Sequence, residues 1–124
     1  MSGRQLLRTA LEAALPDWQI VADARALDTI RRPGAAVLWT ARRSRPAKLG
    51  LDAVQDEVTL WILTATDKPA DVEDDLDGLF LAAAAALEPL DWCAWIDAER
   101  GTLADRFEGW RLTITCLYNI TDQE

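Results

Sequence analysis

The side chains that could carry acid–base chemistry in this sequence are carboxylates. A pair of carboxylates is what glycoside hydrolysis requires. Acidic residues also favour the positive end of a helix dipole, where they stay solvated. Because the densest acidic run stands at the start of a helical pattern, we predict an acidic surface there and no catalytic pair. This run contains Asp71, Glu73, Asp74, Asp75 and Asp77.

Other catalytic groups are scarce. The 124 residues include no histidine, which removes the commonest general base and the commonest zinc ligand. The two serines are Ser2 and Ser44, and the two cysteines, Cys93 and Cys116, form no CxxC motif. The glycines do not form a phosphate loop or a dinucleotide fingerprint. We therefore expect no enzymatic activity, no metal ion and no cofactor.

A basic segment is the first feature that favours binding to another molecule. Its cations are Arg42, Arg43, Arg45 and Lys48. They fall in a predicted loop over 42–56, which is long for a connection between two strands. Contact with an acidic partner or with passing DNA is one interpretation, and a solvated loop is the other.

Tryptophan is the second such feature, because the chain has six of them. Most must be core residues. Trp92 and Trp95 stand three apart in a strand-like run, so we expect them to point to opposite faces of the sheet. An exposed tryptophan is a common interface anchor, and Trp95 is our candidate.

Charge is segregated along the chain, whose net charge is −8. Residues 1–66 carry nine basic and seven acidic side chains, whereas residues 67–124 carry four and fourteen. An acidic surface repels nucleic acid and anionic lipid, which argues against a dedicated DNA-binding or membrane protein. We see no signal peptide and no apolar run of membrane-spanning length, so we expect a soluble protein made in the cytoplasm.

Apolar residues at helical spacing predict two helices. Ser2 and Gln5 stand as in a capping box, and the pattern after them predicts a first helix over about 3–15. Asp67 is the expected cap of the second helix, which Pro89 ends. The apolar stripe of the second helix consists of Val72, Leu76, Leu79, Phe80, Ala83 and Leu87.

Five β-type runs complete the pattern, at 18–22, 35–41, 57–65, 92–98 and 110–118. The second is apolar throughout and is expected to be buried on both faces. In the last run, the side chains that should face the core are Leu112, Ile114, Cys116 and Tyr118. We expect a turn and its approach over 100–108. Cys93 and Cys116 are expected to be buried free thiols, and a disulfide is conceivable only if their strands are neighbours.

The predicted order of elements is α-β-β-β-α-β-β. It indicates an α+β fold with a mostly antiparallel sheet and two helices packed on one face. Residues 1–124 form a single domain in this interpretation, with a flexible end at about 120–124.

Taken over nearly its full length, this pattern resembles the tail terminator proteins of long-tailed bacteriophages, the minor tail protein U-like family, especially those of actinobacterial phages. The opening helix at 4–15, the strand–loop–strand unit at 35–65, the alanine-rich helix at 70–87 and the closing strand at 110–118 carry the resemblance.

The resemblance implies a virion structural protein of the tail and neck region. Such proteins form a hexameric ring on the head-proximal end of the tail tube, stop tube polymerisation and dock the head-completion protein, while DNA passes through the lumen. Another head–tail connector or tail completion protein is an alternative reading. A small acidic binding module of the immunity or inhibitor kind is an alternative of a different class.

Overall fold

The computed structural model describes residues 1–21, 30, 33–46, 52–66 and 68–120. Its helices and strands, in chain order, are α1 (Gly3–Ala14), β1 (Gln19–Val21), β2 (Gly34–Ser44), β3 (Ala53–Thr64), α2 (Pro69–Leu87), β4 (Cys93–Leu103) and β5 (Phe107–Asn119). The predicted α+β class and order of elements are confirmed. Most of the end that we expected to be flexible, 121–124, lies outside the described residues.

One mixed sheet contains all five of these strands, in the order β1-β2-β3-β5-β4. β1 runs parallel to β2, and the other three pairings are antiparallel. The hairpins β2–β3 and β4–β5 are joined through the β3–β5 pairing, so β3 and β5 are inner strands. β1 covers only residues 35–37 of β2, whereas β4 is an outer strand over its whole length.

Both helices pack on the same face of the sheet. The capping box of α1 is confirmed, because Ser2 Oγ accepts from the Gln5 N–H at 3.3 Å and Gln5 Oε1 accepts from the Ser2 N–H at 2.8 Å. α2 has Lys68 as its cap residue, without a side-chain hydrogen bond, and Asp67 lies outside the described residues. The buried core between helices and sheet includes Leu7, Leu11, Leu38, Val58, Leu60, Ile62, Leu76, Leu79, Leu112, Ile114 and Cys116.

A smaller apolar cluster covers part of the opposite sheet face. Its buried members are Ile30, Ala35, Val37, Trp61 and Leu63, with Trp39 and Phe107 half-buried beside them. β2 is therefore buried on both faces as predicted, but only as far as Leu38. Beyond that point β1 no longer pairs with β2, and Ala41 is exposed.

Two predicted connections are wrong. β2 continues to Ser44 and β3 already begins at Ala53, so seven of the ten described residues in the predicted loop over 42–56 lie on strands. The predicted turn over 100–108 is likewise shorter, since Leu103 pairs with Phe107 around three residues. In both places charged residues occupy strand positions and pair across strands, as Arg43 and Asp56 do at 2.6 Å and Arg100 and Glu108 do at 3.1 Å.

Candidate protein-interaction surface

Asp56 on β3 has a fully buried carboxylate that four donor groups surround. Arg43 Nε donates to Oδ1 at 2.6 Å and Arg43 Nη2 donates to Oδ2 at 3.1 Å. The Tyr118 hydroxyl and the Gly3 backbone N–H also donate to Oδ2, at 3.0 and 3.2 Å. Gly3 is the first residue of α1, so the carboxylate also lies at the positive end of that helix. Asp56 thus ties β2, β5 and α1 together.

The electrostatics of this cluster favour the charged carboxylate. Burial raises the pKa of Asp56, but the hydrogen bonds from Arg43 and Tyr118 together with the positive charge of Arg43 outweigh it, so the pKa is held below its ordinary value. Burial and the hydrogen bond to Asp56 raise the pKa of Tyr118. A carboxylate saturated in this way holds the fold together and is not free to act on a substrate.

The structure shows where the described cations of the basic segment lie. Arg43 lies on β2 opposite Asp56 and is committed to the buried ion pair, although its side chain is 53% exposed. Arg42 also lies on β2 and is exposed. It points to the other sheet face from Arg43, and its cross-strand partner is Glu57. Arg45 follows the strand and is exposed, and Lys48 lies outside the described residues. Of the four predicted interface cations, Arg42 and Arg45 form the basic end of the described sheet.

The acidic residues of α2 divide into two groups. Asp75 is half-buried and accepts a hydrogen bond from the Thr64 hydroxyl, and Glu73 accepts two from Arg100 Nη1 at 2.7 and 2.8 Å. Arg100 also donates to Glu108 at 3.1 Å and stacks over the Trp110 ring at 5.5 Å. The remaining three, Asp71, Asp74 and Asp77, are exposed on the helix. We call these three the acidic end.

The start of α2 and the basic end lie at opposite ends of the strands. α2 begins shortly after Thr64, the last residue of β3, which pairs with the first residue of β2. Ser44, beside the basic end, pairs with Gln55 near the start of β3. Those nine residues of strand separate the start of α2 from the basic end by about 30 Å. Asp71, in the first turn of α2, is therefore far from Arg42, whereas Asp77 lies about two turns further along the helix.

Trp95, the predicted anchor, lies on the outer strand β4 and is 40% exposed. Its ring packs edge-on against Phe80 of α2, with 5.5 Å between centroids. Ile96 follows at a β-bulge, where the register shifts between Trp95 and Asp97, and is 64% exposed. Ala94 before them is also exposed. We call Trp95 and Ile96 the β4 edge patch.

We had expected Trp92 and Trp95 to point to opposite faces of the sheet, and this prediction is wrong. Trp92 lies in the turn before β4 and packs against the core beneath the helices. Trp95 pairs with Ile114, whose side chain belongs to the same core. Strand alternation does not apply, because the strand starts after Trp92. Ile96 was not singled out from the sequence, since a bulge leaves no signal in the spacing of apolar residues.

Elsewhere on the described surface, a shallow groove on the sheet face away from the helices is lined by Trp39, Glu57, Thr59, Trp61, Leu103, Arg111 and Thr113. Within residues 1–21, 30, 33–46, 52–66 and 68–120, no three His, Cys, Asp or Glu side chains are grouped as metal ligands would be. No helix in the described part of the chain has both the length and the apolar character needed to cross a bilayer. Comparison with protein-family models and with curated proteins finds no match to the chain.

Proposed function

We propose that the protein is a virion structural protein that caps the head-proximal end of a phage tail tube as a ring. It ends tube polymerisation and joins the tail to the head. The resemblance to tail terminators over nearly the whole chain supports this function. The observation that carries it is the β4 edge patch, where Trp95 and Ile96 stand exposed on an outer strand whose pairing, within the described residues, is with β5 alone.

The β4 edge patch has the character of an interface anchor. Phe80 holds the Trp95 ring from one side, so little side-chain freedom is lost when a partner covers it. Ile96 follows it at the bulge and is more exposed than Trp95. A bulge, followed by Asp97 and Glu99, disfavours simple extension of the sheet by a second strand. The contact that we propose is therefore made by side chains packing on a neighbouring copy.

The charge distribution supports a head-to-tail contact between copies. An acidic end and a basic end attract each other when two copies meet end to end in the same orientation. A head-to-tail contact closes into a ring when the rotation per copy is right. The resemblance implies six copies, and the acidic surface suits a lumen through which DNA passes without binding.

Ile96→Arg tests the contact. We expect native mass spectrometry of the wild-type chain to show a closed ring of six copies, and we expect Ile96→Arg to give monomer at the same concentration. A buried arginine without a partner costs several kcal/mol at each contact of the ring. The matched control is Leu81→Arg, which changes an equally exposed apolar residue (66%) on the outer side of α2 and should leave the ring intact.

Four results would speak against this proposal. Rings of Ile96→Arg that match the wild type would remove the β4 edge patch from the contact. If only Leu81→Arg loses the ring, the contact between copies lies on the outer side of α2. A wild-type chain that stays monomeric and binds one foreign protein tightly would favour the small acidic binding module, whereas a ring that binds the head side alone would favour another connector protein.

Reversing the charges of the basic end should weaken assembly without unfolding the domain. In Arg42→Glu/Arg45→Glu we expect the association constant to fall about two- to tenfold per contact at low salt, since exposed ion pairs contribute little each. Added salt should reduce the difference from wild type. Sedimentation velocity at two ionic strengths measures both effects. An unchanged association constant at low salt would exclude the basic end from the contact.

A further inference from the structure

Cys93 and Cys116 face each other directly on neighbouring strands. The register pairs Cys93 of β4 with Cys116 of β5, and both cysteines are free thiols. The Leu117 N–H donates to the Trp92 carbonyl at 2.8 Å, so the neighbouring pair, Trp92 and Leu117, is a hydrogen-bonded pair. Because the two kinds of pair alternate in an antiparallel ladder, Cys93 and Cys116 form a non-hydrogen-bonded pair.

This kind of pair has the spacing that a disulfide needs. Opposed residues of a non-hydrogen-bonded pair have Cα atoms about 4.5 Å apart, and disulfides span Cα distances of about 4.4–6.8 Å. Both side chains point to the helix-covered face, because Cys116 is buried in that core and Cys93 packs against it. Neither strand has to move far for the two sulfur atoms to bond.

We propose that Cys93 and Cys116 are a thiol-oxidation site, at which a small-molecule disulfide such as glutathione disulfide converts the pair into a reversible intramolecular disulfide. The proposal is independent of the tail-terminator function.

The surroundings of the two thiols set the order of the steps. Cys93 is half-exposed, whereas Cys116 is fully buried beneath the start of α1. A β-carbon added to Gly3 would lie 2.8 Å from Cys116 Cβ, so no space exists there for an incoming disulfide. A hydrogen bond from the Cys116 thiol lowers the pKa of Cys93, which favours its thiolate. Cys93 is therefore the attacking sulfur and Cys116 the resolving one.

The exchange balances in two steps. The Cys93 thiolate attacks glutathione disulfide, which forms a Cys93–glutathione mixed disulfide and releases one glutathione thiolate. The Cys116 thiol attacks the Cys93 sulfur and passes its proton to the glutathione sulfur that it expels, so the second glutathione leaves as a thiol. Two protein thiols are oxidised, and one glutathione disulfide is reduced to two glutathione molecules. The product fastens outer strand β4 to β5 directly beside the β4 edge patch.

Intact mass measurement of the full-length chain tests the proposal. After incubation with glutathione disulfide and alkylation, we expect a monomer that has lost two hydrogen atoms and carries no alkyl group. Trypsin cleavage after Arg100 and Arg111 puts the two cysteines on separate peptides, which should remain joined until a reductant is added. The oxidised chain should melt about 5–15 °C above the reduced chain, because the cross-link restricts the unfolded state.

A relocated thiol provides the matched control. In Cys93→Ala/Ala94→Cys the thiol moves by one residue to the opposite sheet face, where it pairs with Thr115, so the oxidant should neither join the peptides nor shift the melting temperature. Cys93→Ser should behave in the same way, and it leaves the buried Cys116 untouched. A wild-type chain that stops at a glutathione adduct, cross-links only between molecules or keeps two alkylatable thiols would overturn the proposal.

Discussion

Replacing Asp56 by alanine should lower the free energy of unfolding by about 2–4 kcal/mol, because hydrogen bonds to a charged group are the strong ones. The variant leaves the Tyr118 hydroxyl and the Gly3 N–H without their acceptor. Arg43 loses its counterion too, but its half-exposed side chain is hydrated, which keeps the cost below that of a fully buried charge. Urea unfolding measured at pH 7 gives the difference.

The pH dependence of that difference is set by the lowered pKa of Asp56. A carboxyl group whose pKa is lower in the folded state stabilises the fold above its unfolded pKa, about 3.9. That stabilisation is lost as the pH falls through the folded pKa. The gap between wild type and Asp56→Ala should therefore be full at pH 5–7 and shrink below about pH 4.

Glu57→Ala is the matched control for Asp56→Ala. Glu57 is the next residue on β3, but it points to the opposite sheet face and is half-exposed. Its removal should cost less than about 1 kcal/mol. The anchoring role of Asp56 is wrong if the two variants lower the free energy of unfolding by the same amount. It is also wrong if the difference between wild type and Asp56→Ala does not change with pH.

Replacing Ile114 by alanine should cost about 2–5 kcal/mol of unfolding free energy. Ile114 is fully buried beneath both helices, and the inner strand β5 gives its surroundings little freedom to collapse into the space left behind. The same change at Ile96, which is 64% exposed, should cost less than about 1 kcal/mol.

Comparing these two isoleucines distinguishes a core position from a surface position. Denaturant unfolding of both alanine variants measures the stability term, and circular dichroism checks that the folded state is intact. Equal losses at the two positions would contradict the assignment of Ile114 to the core and of Ile96 to the surface.

Much of the fold follows from patterns with a single physical meaning. The capping box of Ser2 and Gln5 fixed the start of α1, and Pro89 lies just beyond the end of α2. Strict alternation placed Leu112, Ile114 and Cys116 in the core, as observed. Tyr118 stands on the same face but is half-buried, because its hydroxyl reaches the Asp56 carboxylate.

The errors arose where charges lie on strands. The run from Arg42 to Arg45 looks like a loop, since nothing in the sequence shows that Arg43 has a buried partner thirteen residues later. The predicted end of β4 was too early for a similar reason, because the second half of this strand is polar and contains few apolar residues that would mark it as a strand. The β-bulge at Ile96 and the ion pair between Arg100 and Glu73 depend on contacts between distant segments, and single-sequence patterns do not encode them.

The most direct test of the proposed function is electron microscopy of tail tubes assembled from tube protein with and without this chain. We expect a six-fold disc at one end of each tube, and shorter tubes of uniform length when the chain is present. Ile96→Arg should abolish both effects. Bare tube ends and an unchanged length distribution in the presence of the wild-type chain would contradict the proposal that this protein ends tail polymerisation.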